Sequence, residues 1–106
     1  MLAFSVRDMC MLDTVRARRD EIYALAKRHK ALRLWVFGSC ARKEESAESD
    51  IDFLVKFSPD VSFRDYDSLE QGFGNLFGRK VDIVSSRVLR NSPRFASRVC
   101  REAVPL

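Results

Sequence analysis

One histidine and three cysteines among 106 residues leave little material for soft-metal or thiol chemistry. His29 stands alone, and Cys10, Cys40 and Cys100 are far apart with no CxxC pair, so a zinc site and a disulfide framework are both disfavoured. Long apolar runs are also lacking. The mildly apolar opening from Met1 to Met11 is interrupted by Arg7 and Asp8. It falls short of the ~20 apolar residues that cross a bilayer, which argues against a signal peptide or membrane span and for a reduced, cytoplasmic protein. No period of roughly 20–50 residues repeats, and no stretch rich in proline, glycine and serine divides the chain.

What is present is enough for one small folded unit. Hydrophobic residues make up 46% of the chain and charged residues 32%, a balance that builds a core and excludes a disordered or low-complexity tail. The net charge of +4 conceals a polar distribution. Residues 1–43 carry ten Lys/Arg against four acids, residues 44–72 two against nine, and residues 79–106 seven against two. No dense basic run is interleaved with aromatics, so direct nucleic-acid binding is disfavoured and most of these charges read as solvated faces.

Periodicity divides the chain into alternating elements. Leu12, Val15, Ile22, Leu25 and Ala26 share one helical face, and Lys27 to Lys30 crowd the end where the dipole favours positive charge, which predicts a helix over 13–30. Leu32 to Phe37 reads as a strand stopped by Gly38, followed by a short helix at most and a polar surface loop over 44–49. Ile51 to Phe57 alternates as a second strand, with Ile51, Phe53, Val55 and Phe57 on one face and Asp50, Asp52, Leu54 and Lys56 on the other. Ser62 with Asp65 signals the start of a helix that carries Phe63, Tyr66, Leu69, Phe73, Leu76 and Phe77 to a stop at Gly78, and its phenylalanines read as core. Val81 to Ser85 is a third strand, and Ser92-Pro93 opens a last helix through Cys100. The predicted class is α/β: a small mixed sheet flanked by helices.

Three features of this layout carry chemistry. Gly38-Ser39 ends one strand and opens a short helix, where backbone N–H groups can approach a phosphate at the helix N-terminus. Asp50 and Asp52, two apart on a strand, point to one face, and paired carboxylates there repel unless a cation lies between them. Asp82 sits in the apolar strand Val81 to Val84, where an unpaired charge is costly; if that strand lies beside the second, three carboxylates form a cluster suited to Mg²⁺. Two ions so held would align a hydroxyl with the α-phosphate of a nucleoside triphosphate and stabilise departing pyrophosphate. His29 reads instead as a surface residue at a helix end, and Cys40 lacks the neighbour that a catalytic thiol needs.

The run Val36-Phe37-Gly38-Ser39-Cys40-Ala41-Arg42, followed by Ser49-Asp50-Ile51-Asp52-Phe53, resembles the GSx10DxD signature of the DNA polymerase β-like nucleotidyltransferases, with ten residues between Ser39 and Asp50. The small size, Arg42, and Gly78-Arg79-Lys80-Val81-Asp82-Ile83-Val84 are similar to the minimal nucleotidyltransferase branch, whose members act as antitoxins to a HEPN-domain ribonuclease toxin. The resemblance implies a nucleotidyltransferase domain over 13–106 behind an N-terminal extension of residues 1–12. It implies that Asp50, Asp52 and Asp82 bind Mg²⁺ and carry catalysis, and that Gly38, Ser39 and Arg42 hold the nucleotide. It further implies ATP as the substrate, with AMP passed to a toxin hydroxyl, a tyrosine. Two other readings stay open: an antitoxin that neutralises by contact alone, and a nucleotidyltransferase for a small molecule. Homo- or hetero-oligomers are compatible with all three.

Overall fold

The computed structural model describes residues 11–41 and 50–106. The chain opens with Met11–Ala17 (α1) and Arg19–Arg28 (α2), where spacing predicted one helix. No glycine or proline breaks it. Arg18 turns at φ −104°, ψ 21°, and its guanidinium donates to the Leu76 carbonyl at 2.7 Å and to Glu21 at 2.8 Å. The break therefore accompanies a contact to a residue 58 positions away, which local periodicity does not register. The helix also begins earlier than expected: Leu12, assigned to the extension, is 2% exposed and belongs to the core.

Helix α2 ends at His29, and Lys30 takes φ 64°, the left-handed position after a helix that glycine commonly fills. Two contacts hold it there. Its carbonyl accepts from the Ser58 N–H at 2.8 Å, and its ammonium lies 3.1 Å from Asp60. Next come Ala31–Phe37 (β1), the single turn Gly38–Ala41 (α3), Ile51–Phe57 (β2), Phe63–Phe77 (α4) and Val81–Ser85 (β3). A 3₁₀ segment over Ser86–Asn91, Pro93–Glu102 (α5) and the two-residue strand Val104–Pro105 (β4) complete the order.

Helix α4 starts where the sequence signals it. The Asp65 N–H donates to the Ser62 hydroxyl and the Ser62 N–H donates to the Asp65 carboxylate, a reciprocal capping box with Asp in the place of Glu. Gly78 closes the helix at φ 64°. Leu69 and Phe73 are fully buried, but Phe63, expected in the core, is 94% exposed because the first helical residue lies beyond the edge of the sheet-facing stripe.

The four strands form a mixed sheet in the order β3-β2-β1-β4. β2 pairs in parallel with β3 across the α4 crossover, and β1 pairs antiparallel with both β2 and β4. One face carries the main core: Leu34, Val36, Ile51, Phe53, Val55, Val81 and Ile83 pack with Val15, Ile22 and Ala26 of the first two helices and with Leu69 and Phe73 of α4. Phe53 anchors it, 4.9 Å from the Phe73 ring and 6.3 Å from that of Phe77. The expected alternation of β2 therefore holds, with one refinement. Leu54, on the opposite face, is buried too, as is Val99 of α5 outside the main cluster, and Phe95 of α5 meets Phe37 edge-on at 5.8 Å. This second face is partly covered at one end and carries acidic residues at the other.

Candidate active site

The site is built on strand register. Phe37 lies opposite Asp52 in the β1–β2 pair, and Asp52 lies opposite Asp82 in the β2–β3 pair. Side chains directly opposite one another share a face, so Asp52 and Asp82 stand side by side, about 4.8 Å apart along the hydrogen-bonding direction. Both are half-buried. Asp50 stands one residue before β2 and two before Asp52, so it belongs to the same face.

Gly38 is fitted to this row. Immediately after β1 it turns at φ +74°, and a Cβ placed on it would collide with Asp52 Oδ2 and lie 3.4 Å from Asp52 Cγ. Only a residue without a side chain lets the backbone turn pass this close to the carboxylate. The motif spacing thus acquires a physical meaning: the Gly-Ser turn and the second aspartate are in contact. Nothing is described of the Ser39 side chain beyond its place in α3, and Arg42 and the 44–49 loop lie outside the described residues.

Asp50 is held apart from the other two. Its carboxylate, 37% exposed, lies 3.7 Å from the Lys80 ammonium, and the Ile51 N–H donates to the Lys80 carbonyl at 3.1 Å. Among the described residues no three acidic, histidine or cysteine side chains converge as a ready-made ion cage. The structure therefore brings Asp52 and Asp82 together as an in-register pair and places Asp50 on the next rung, drawn toward a lysine. The donor set is oxygen only, and adjacent like charges favour an intervening cation; both properties fit a hard divalent ion of the magnesium kind. Lys80 lies in the Gly78–Val84 run, two residues before Asp82. Its pairing with Asp50 depends on the parallel register of β2 and β3, which residue types alone do not fix.

One mixed sheet backed by helices, with this glycine–aspartate row on its other face, is an arrangement suited to nucleotide transfer. The family model described as polymerase beta nucleotidyltransferase matches residues 20–106, and the chain belongs to that family. Among sequence relatives, the protein adenylyltransferase MntA of Thermococcus cleftensis is 35% identical over 80 residues, covering 76% of this chain and 79% of the relative. Among solved structures, a chain proposed to be a minimal nucleotidyltransferase superposes with a TM-score of 0.77 at 45% identity, covering 90% of this chain and 95% of that one. A chain from the complex of a tri-AMPylated Shewanella oneidensis HEPN toxin with its MNT antitoxin shares the fold, with a TM-score of 0.62 at 20% identity over 85% of this chain and 69% of that one. No helix among the described residues is long and apolar enough to cross a membrane.

Proposed function

We propose that this chain is a Mg²⁺-dependent protein adenylyltransferase that passes AMP from ATP to a hydroxyl, a tyrosine, of a cognate HEPN-domain ribonuclease toxin, and so acts as its antitoxin. The observation that carries the reading is the close approach of Gly38 to Asp52, with Asp82 as the register partner of Asp52 on the neighbouring strand. A relative named for protein adenylylation and a fold shared with an antitoxin bound to an AMPylated HEPN toxin support the acceptor class. On this reading the pair works in the cytoplasm, where ATP and the ribonuclease's substrates are found.

Asp50, Asp52 and Asp82 would hold the metal. When bound, Mg²⁺ neutralises the triphosphate and the charge that develops as the attacking oxygen bonds to the α-phosphorus and the bond to pyrophosphate breaks. The chain's own contribution is placement. The Gly38-Ser39 backbone offers N–H groups to phosphate oxygens at the point where Gly38 approaches Asp52, with Arg42 as a further phosphate contact. The proton released by the acceptor hydroxyl would pass to a carboxylate oxygen of Asp82, the half-buried neighbour of Asp52. The Phe37–Phe95 ring pair backs the turn that leads into Gly38 and keeps its geometry fixed.

The test is the intact mass of the co-expressed toxin after incubation with this chain, ATP and Mg²⁺, run beside an Asp50→Asn/Asp52→Asn variant. The expected result is a gain of one or more AMP units that the double variant does not produce. A stable complex with no mass gain would overturn the enzyme reading in favour of neutralisation by contact.

A further inference from the structure

Lys80 occupies a position that the motif does not explain. It is the residue before β3, and because Ile51 pairs with Val81, Lys80 and Asp50 form the rung that precedes this pair. Rungs two apart share a face, so Lys80 lies on the face that carries Asp52 and Asp82. The backbone bond from Ile51 N–H to the Lys80 carbonyl, 3.1 Å, fixes where its side chain departs. Its ammonium then settles 3.7 Å from Asp50 Oδ2 while the side chain remains 72% exposed.

An exposed ion pair of this kind is weak and readily exchanged. Three carboxylates on one face of the sheet without a metal ion nevertheless concentrate negative charge, and the Lys80 ammonium beside Asp50 relieves part of it. If the same carboxylates held a divalent cation, the ammonium would be repelled and would give up Asp50. The Gly38 turn lies at the same end of the sheet, so a triphosphate tail held there would be an anion within reach, and a lysine is a compact, flexible charge suited to phosphate oxygens.

We propose that Lys80 alternates between two partners: it is the counter-ion of Asp50 before the metal arrives, and it binds the β- and γ-phosphates, later the pyrophosphate, once metal and nucleotide are in place. This rests on the nucleotidyltransferase reading above and adds a residue to it. Exchange makes a signed prediction. Removing the amine frees Asp50 for the metal but deprives the phosphates of a contact, so the two affinities move in opposite directions. A purely structural lysine would shift neither, or would lower both together.

The experiment uses two binding measurements that need no turnover. Mn²⁺ binding is followed by the electron paramagnetic resonance signal of the free ion, and binding of α,β-methylene ATP with Mg²⁺ is followed by calorimetry. Wild type, Lys80→Met and Lys80→Arg are compared, with circular dichroism establishing that all three are folded. Lys80→Met is expected to bind Mn²⁺ alone roughly two- to five-fold more tightly, the scale of an exposed ion pair, and the nucleotide about ten-fold more weakly. Lys80→Arg should restore most of the nucleotide affinity. Binding by wild type with no change, or with a change of the same sign in both measurements for Lys80→Met, overturns the role of Lys80 and leaves the enzyme reading intact. Failure of wild type to bind either probe overturns that reading, and the role of Lys80 with it.

Discussion

Gly38 is the residue on which the site geometry turns, because it joins a backbone requirement to a packing requirement. Its φ of +74° suits glycine, and the carboxylate of Asp52 fills the space that a side chain would enter. Gly38→Ala therefore has two separate consequences. The left-handed backbone costs about 1–2 kcal/mol of stability, and the displaced Asp52 carboxylate costs at least ~100-fold in AMP transfer, since a shift of about 1 Å at reacting groups has effects of that order. Urea unfolding and toxin AMPylation measured on the same preparation check the two together; a variant with wild-type transfer would show that the close approach is not used. At this scale the motif was legible. Two aspartates two positions apart at the start of an apolar strand, a third in another apolar strand and a glycine at a strand end are each conspicuous, because charge and flexibility are expensive there. The Lys80–Asp50 pair was not legible, since it follows from which strands are neighbours and in what register.

Elements specified by local chemistry were legible, and those specified by distant contacts were not. The start of α4 belongs to the first kind. Ser62 and Asp65 satisfy each other's N–H groups, and the Asp65 carboxyl is held below the usual aspartate range first by the Ser62 backbone N–H, with the Ser62 hydroxyl, Lys30 and His29 adding to it. A carboxyl whose folded pKa is depressed stabilises the fold above its unfolded value and loses that contribution as pH falls through the folded one. The stability difference between wild type and Asp65→Asn should therefore be present at about pH 6 and shrink toward about pH 3. Urea midpoints of both proteins across that range test it, and a constant difference would remove Asp65 from the acid response. The second kind includes the break at Arg18, set by its bond to the Leu76 carbonyl. It also includes β4, whose two residues are too few to show any alternation and exist as a strand only because β1 offers an edge.

That edge is where distant parts of the molecule are tied together. The charge blocks of the sequence, basic, acidic and basic, map onto α1–α2, onto the β2–α4 region with two of the three site aspartates, and onto the stretch from the start of β3 to the end of α5. What closes the sheet is a single phenol. The Tyr23 hydroxyl of α2 donates to the Leu106 carbonyl at 2.8 Å and accepts the Leu34 N–H at 3.3 Å, while the Leu106 N–H donates to the Leu34 carbonyl at 3.1 Å. One phenol thus stands in for the ladder rung that β4 is too short to provide, across 83 residues of sequence. Tyr23→Phe keeps the ring packed and strands two backbone groups in a half-buried setting, at a cost of about 1–3 kcal/mol. The loss should also be uneven in space. Helix α5 reaches the site face through Phe95 but is anchored beyond its far end by β4, so amide exchange should accelerate over residues 93–106. The β2 and β3 amides that hold Asp52 and Asp82 in register should stay protected, because α2 and α4 still cover them from the other face. Faster exchange spread evenly over all four strands would mean that the sheet opens as one unit, and the tyrosine would then support the whole core rather than its last strand.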